Sequence, residues 1–171
     1  MKQLLLLRHA KSSWAQPGLD DESRPLNKRG VAQCVALNAW CSRERVEIDL
    51  ALVSTARRTR ETWERIEDGL VYGQVEIDAS LYNGDIDTYL SALYGQTEDR
   101  VMIVGHNPTC DELSRYLATP SDETEKLLER HFGTATLAWL VFDVAEWSQI
   151  GQASGRLQKV LRPGDLAVEA S

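Results

Sequence analysis

The sequence predicts an α/β fold, a three-layer sandwich with a mainly parallel central sheet flanked by helices. Three observations lead there. Short apolar runs recur along the chain, and each of the first four is followed by sequence of helical period. The runs at residues 4–7 (LLLL) and 101–104 (VMIV) are continuous rather than alternating, as strands covered on both faces are. Each of three strands ends in a polar cluster, and open α/β sheets bind ligands beyond the carboxyl ends of their strands.

Strands are expected at residues 3–7, 50–53, 75–78, 101–104, 136–143 and 157–161. The LLLL run is interrupted by Arg8, too early for the roughly 7 to 15 apolar residues of a secretory signal. No stretch approaches the roughly 20 apolar residues of a membrane span. The first helix opens in RPLNKRG with Asn27 as N-cap, and carries Val31, Cys34, Val35 and Asn38 at helical spacing, with Leu37, Trp40 and Cys41 widening the face. Gly30 in its first turn lowers helix propensity. A second helix starts after Ser54 or Thr55, aligns Thr59, Thr62, Trp63 and Ile66, and stops near Gly69. A third is DIDTYLSALYG, with Ile86, Tyr89, Leu90 and Leu93 on one face. The fourth begins at Asn107 as N-cap with Pro108 in the first helical position. SDETEKLLERHFG reads as a short helix and LAVEAS as a frayed end.

With 171 residues and 43% hydrophobic content, the chain can bury a core without metal or disulfide staples. One domain spanning residues 1–171 is expected, because no linker, repeat or low-complexity tract divides it. Cys34, Cys41 and Cys110 are odd in number and lack CxxC spacing, so they read as reduced thiols of a cytoplasmic protein, with Cys34 and Cys41 on a shared helix face. The net charge of -7 argues against nucleic-acid binding. Residues 1–60 nevertheless hold 11 Lys/Arg against 6 Asp/Glu, an excess suited to a small anion.

The polar clusters supply the chemistry. Arg8-His9 ends the first strand, Ser54 leads into ARRTRET, and Gly105 leads into His106-Asn107-Pro108. Arg57, Arg58 and Arg60 occupy the first turn of a helix, where the dipole disfavours cations by about 0.3 to 1 kcal/mol each. Ion pairs with Glu61 and Glu64 would answer that cost, and so would an anion held by one of the arginines and the helix start. The start at Asn107 offers further backbone N–H groups. Arginines and helix ends around an anion, with two histidines beside it, point to phosphoryl transfer: the guanidinium fork matches phosphate oxygens, and a neutral imidazole can attack phosphorus. His131, late in a charged helix, reads as structural. A metal site is disfavoured, since the arginines repel a cation and no HxxxH or HxH spacing occurs.

Taken together, LLLLRHAKSSW, RPLNKRG, LVSTARRTRET, LYNGD and VMIVGHNPT resemble the histidine phosphatase superfamily, most closely its small SixA-type phosphohistidine phosphatases. The resemblance implies a phosphoglycerate mutase-like fold without a large cap domain and a phosphatase that needs no cofactor or metal. It makes His9 the nucleophile that becomes phosphorylated, Arg8 and Arg58 the phosphate-binding arginines, and His106 the second catalytic histidine. Ser12 matches a serine that often follows the first motif. The chain departs from the family pattern at Ala10, usually glycine and a position from which a methyl could narrow the approach to the phosphate. It also departs in lacking a capping insertion, and at Asn83, a place for Glu in relatives.

No proton donor stands out, although the run Asp20-Asp21-Glu22 offers candidates beside its plainer role as a solvated loop next to Arg24. A site without an evident acid favours phosphohistidine on a partner protein over ordinary esters, because imidazole is the better leaving group. A general small-molecule phosphomonoesterase of the same mechanism and a noncatalytic phosphate-binding module are the other readings. No membrane partner is expected, and a monomer suffices.

Overall fold

The computed structural model describes the backbone of residues 1–169 and the side chains of residues 1–166. Its centre is a six-stranded sheet of order β3-β2-β4-β1-β5-β6. The strands are β1 (Lys2–Arg8), β2 (Glu47–Ser54), β3 (Val71–Asp78), β4 (Arg100–Gly105), β5 (Leu137–Phe142) and β6 (Arg156–Leu161). The first four are mutually parallel. β5 runs antiparallel to β1, and β6 antiparallel to β5.

The leucine run lies in the middle of this sheet, and strand geometry sends successive side chains to opposite faces. Leu4 and Leu6 enter one core with Leu50, Leu52, Val101 and Ile103 of the neighbouring strands, under Tyr89, Leu90 and Leu93 of α3 (Ile86–Tyr94) and Leu113 and Leu117 of α4 (Thr109–Leu117). Leu5 and Leu7 enter the other with Ala51, Val53, Met102 and Val104, under α1 (Lys28–Arg43) and α2 (Arg57–Ile66). All four leucines are fully buried, so neither face has a place for a polar alternate. A short α5 (Asp122–Glu129) and a final α6 (Pro163–Glu169) complete the helices. The expected frayed end is thus helical to residue 169, and residues 170 and 171 lie outside the described residues.

Two helices differ from their sequence reading. The buried stripe of α1 is Gly30, Gln33, Cys34, Leu37, Trp40 and Cys41, while Val35 is 65% exposed. The helix is rotated because Gly30 sits directly against the Lys11 carbonyl, where any Cβ would overlap backbone. Asn27 caps it as expected, its Oδ1 accepting from the Gly30 N–H at 2.9 Å. The glycine that is costly for helix propensity is what lets the helix start against the loop after β1. Helix α4 begins at Thr109, after a cis Asn107–Pro108 peptide. Three amides of its first turn are taken: Cys110 N–H by the His106 carbonyl at 2.8 Å, Asp111 N–H by Asn107 Oδ1 at 3.3 Å and Glu112 N–H by the Pro108 carbonyl at 2.9 Å. Those three amides are therefore not open to an anion.

The cysteines are free and buried, Cys34 and Cys41 together on α1. Burial pushes their thiols up to about 11 and about 12, so they serve as packing groups.

Gly30→Ala is expected to destabilise the protein by about 1–3 kcal/mol, since backbone rather than a flexible side chain must move. Gly95→Ala, at a helix end with open space around it, serves as the control. Urea midpoints of the two variants give the comparison.

Candidate active site

The parallel register brings three strand ends level. Arg8 pairs with Gly105, and Val53 with Val104. The His9 amide then donates to the Gly105 carbonyl at 3.0 Å. His9 and His106 therefore meet, with ring centroids 5.4 Å apart. They line a cleft of about 360 Å³ together with Arg8, Ser12, Arg58, Lys11, Trp14, Asp21, Arg24, Tyr82, Asn83, Asn107 and Thr134. Four of these are cations and one is a carboxylate. All five residues singled out in the sequence, Arg8, His9, Ser12, Arg58 and His106, come together here. His131 does not; it is exposed, beyond the end of α5.

The imidazoles hold opposite tautomers. The Ala10 carbonyl, which can only accept, lies 2.7 Å from His9 Nδ1, so that nitrogen carries the proton and Nε2 keeps its lone pair. Burial is the main cause that pushes His9 down to about 3. The Ala10 hydrogen bond opposes it, and His106, Arg58 and Arg8 reinforce it. At His106 the Arg58 guanidinium can only donate, and its Nη2 lies 3.5 Å from Nδ1, a long contact. The proton is then on Nε2, which donates to Ser54 Oγ at 2.7 Å. Burial first, then Arg58, pushes His106 down to about 4. The backbone of His106 is held too: its amide donates to the buried Tyr89 hydroxyl at 3.0 Å.

Of the three arginines at the start of α2, only Arg58 turns into the cleft. Arg57 pairs with Glu61 at 2.6 Å, and Arg60 Nε donates to the Thr55 carbonyl at 3.0 Å. Thr62 ties this helix to the first strand, its hydroxyl accepting from the Ala10 amide at 3.0 Å and donating to the Arg58 carbonyl at 2.6 Å. Ala10 itself is fully buried in the core with Leu5 and Leu7 and is absent from the cleft wall, so the methyl does not narrow the approach. The Nε–H groups of Arg8 and Arg58 are buried without partners, an uncommon state for charged donors.

The acidic run is exposed and lies next to Arg24, as its plainer reading has it, but it is ordered. Asp20 caps the short turn Asp21–Ser23, and Glu22 accepts from the Thr55 hydroxyl at 2.6 Å. Asp21 alone faces the cleft, where it accepts from Arg58 at 3.0 Å, Tyr82 at 2.5 Å and Arg24 at 3.1 Å. Led by the Tyr82 hydrogen bond, these contacts hold it down to about 2, so it is ionised and has no proton to donate near neutrality.

Sequence reasoning missed Arg24 as a site residue. It is 8% exposed, donates to Ser12 Oγ at 2.7 Å and lies over the Trp14 ring at 3.6 Å. Its signal was the first arginine of RPLNKRG, which the loop fold carries across the cleft. Gln33 was also missed: from α1 it accepts the Lys11 amide at 2.9 Å and donates to the Thr134 hydroxyl at 3.0 Å, fixing the loop behind His9. No group of His, Cys, Asp and Glu able to hold a metal occurs among the described residues.

A covered, mainly parallel sheet with two histidines and arginines at its strand ends defines a phosphoryl-handling class of α/β protein. Residues 4–91 match the family model for the histidine phosphatase superfamily (branch 1). The chain belongs to the histidine phosphatase superfamily, of the SixA type, and so to the phosphatase hydrolases. A solved structure from Nakamurella multipartitia, provisionally assigned as the phosphohistidine phosphatase SixA, is 29% identical with a TM-score of 0.80, covering 95% of this chain and 96% of that one. Phosphohistidine phosphatase SixA of Escherichia coli (strain K12) is 28% identical over 111 residues, 62% of this chain and 68% of the relative. An uncharacterized chloroplastic protein of Arabidopsis thaliana is 31% identical over 144 residues, and the match spans 70% of this chain but only 61% of that protein's length.

The histidines set a pH dependence. In the unfolded chain each takes up a proton near 6.5, whereas the folded His9 does so only near 3 and His106 near 4. Between those values the unfolded state binds more protons, so the stability they contribute is complete above pH 6.5 and lost as pH falls through the window. Asp21, shifted from 3.8 to about 2, adds a loss of the same sign below pH 3.8. Urea unfolding at pH 7.5 and 5.0 should show lower stability at 5.0, and His9→Gln should reduce the difference.

Proposed function

We propose that this protein removes the phosphoryl group from phosphohistidine on a partner protein, through a phosphorylated His9. The carrying observation is the His9 tautomer: with Nδ1–H donated to Ala10, the lone pair on Nε2 is free beside Arg8, Arg58 and His106. In this reading Nε2 attacks phosphorus in line. The P–N bond of the substrate breaks, and the substrate ring, already protonated on its other nitrogen, keeps the electron pair and departs as neutral imidazole. Water then attacks phospho-His9, the second P–N bond breaks, inorganic phosphate leaves and the imidazole is restored.

Arg8 and Arg58 hold the equatorial oxygens, their unpartnered Nε–H groups supporting an anionic ligand. His106, neutral in the ligand-free cleft, takes a proton on Nδ1 as the negative phosphoryl group arrives, and stabilises the transferring group. Ser12 positions Arg24 at the edge of the same oxygens. Asp21 is held ionised, so no carboxylate stands ready to protonate a poor leaving group. That supports a substrate with a good one. We further propose that residues 1–171 act as one cytoplasmic domain; among the described residues no helix is long and apolar enough to cross a membrane.

Quenching without acid after mixing with phosphoramidate, followed by peptide mapping, should find alkali-stable, acid-labile phosphate on His9. His9→Ala should abolish both label and turnover, and EDTA should leave turnover intact. His106→Ala should cost about 10²- to 10⁴-fold in rate. Phosphate on His106, or activity in His9→Ala, overturns the assignment. Faster turnover of sugar phosphates and nucleotides than of a phosphohistidine protein favours the small-molecule reading.

Because kcat/KM reports the free enzyme, its acid limb should lie below the ordinary histidine value of 6.5, once the substrate's own titration is subtracted. A limb at 6.5 or above would mean that His9 is not held neutral by burial.

A further inference from the structure

We infer that Trp14 is a docking surface for the protein that carries the phosphohistidine, and that it selects apolar residues beside that histidine. The inference rests on the phosphohistidine reading above and deepens it. Two positions give the cleft a direction. His9, where the phosphoryl group would be attacked, is 7% exposed, whereas Trp14 lines the same cleft and is 75% exposed. Whatever stands behind the phosphoryl group passes the rim on its way out. A small leaving group ends there, but a protein continues across it.

The indole at that rim is held ready. The Arg24 guanidinium lies 3.6 Å from the ring centroid and covers one face. Arg24 is itself fixed, by Ser12 Oγ at 2.7 Å and by the Asp21 carboxylate at 3.0 Å. Pinning one face of an exposed ring from a buried cation reduces the ordering cost of a later contact on the other face. A tryptophan this exposed adds little to the core, and tryptophan, with tyrosine and arginine, is enriched among the anchors of protein interfaces. Leu19, in the same loop, is a second exposed apolar side chain at 36%. The rest of the lining, by contrast, is polar and charged: Arg58 is buried, and Arg8, Lys11 and Asn107 are half-buried. The apolar part of the recognition is therefore at the rim, where the partner's surface lies and the phosphoryl group does not.

Two synthetic peptides test this, each with a central phosphohistidine, one flanked by leucine and valine and the other by glycine. The wild-type protein should show a kcat/KM about tenfold higher for the apolar-flanked peptide. Trp14→Ala should reduce that preference to about one, and Trp14→Phe should keep most of it. Because Trp14 lies on the surface, both variants are expected to fold, which far-UV circular dichroism checks. If the wild type cleaves both peptides with no preference, or the preference survives Trp14→Ala, the docking role is overturned and the phosphohistidine reading stands. If the wild type cleaves neither peptide yet hydrolyses small phosphate esters, the phosphohistidine reading falls and the docking role falls with it.

Discussion

The hydrogen bond from the His9 amide to the Gly105 carbonyl is the contact on which the cleft depends. It extends the β1–β4 ladder one step beyond Arg8, and so places the first residue after one strand beside the first residue after the other. Both histidines then leave the sheet at the same height, from backbone that two packed cores hold on either face. The other cleft groups arrive by shorter routes from this pair: Arg58 one helical turn beyond the next strand end, where Ser54 supports His106, and Thr134 from the segment leading into β5. Without level strand ends, none of these side chains would share a ligand.

The electrostatics follow from the same placement. Backbone rigidity allows two imidazoles to be buried together among cations, an arrangement that would disperse if the chain could relax. Burial keeps both neutral, and neutral imidazoles do not repel the arginines next to them. The cleft thus carries its positive charge on guanidinium groups, which no useful pH removes, and keeps its nitrogen lone pairs for chemistry. Asp21 tempers this charge while organising it, since one carboxylate receives donors from Arg58, Arg24 and Tyr82, three separate stretches of chain.

Much of this was legible in the sequence, for reasons specific to particular residues. The apolar runs LLLL and VMIV suit strands covered on both faces, so β1, β4 and their polar ends could be read directly. The choice of Arg58 among three arginines needed the family resemblance, because helical spacing alone leaves Arg57 and Arg60 open. The face of α1 was misread at Val35, since helical period was counted from apolar residues while the buried stripe is set by Gly30 and Gln33, one lacking a side chain and the other polar. Asn107-Pro108 has the composition of a helix cap, yet the helix starts only at Thr109, and the amides of Cys110, Asp111 and Glu112 are used within the turn. Arg24 and Asp21 belong to the site through loop geometry, to which no periodicity points.

Gln33 shows a further side of this architecture. Its side-chain amide spans from α1 to the Lys11 amide on one side and the Thr134 hydroxyl on the other, clasping two loops that border the cleft. It touches neither histidine's ring, yet the loop it holds is the one that carries His9's carbonyl partner. The hydrogen bonds that hold the cleft therefore reach beyond the residues that line it.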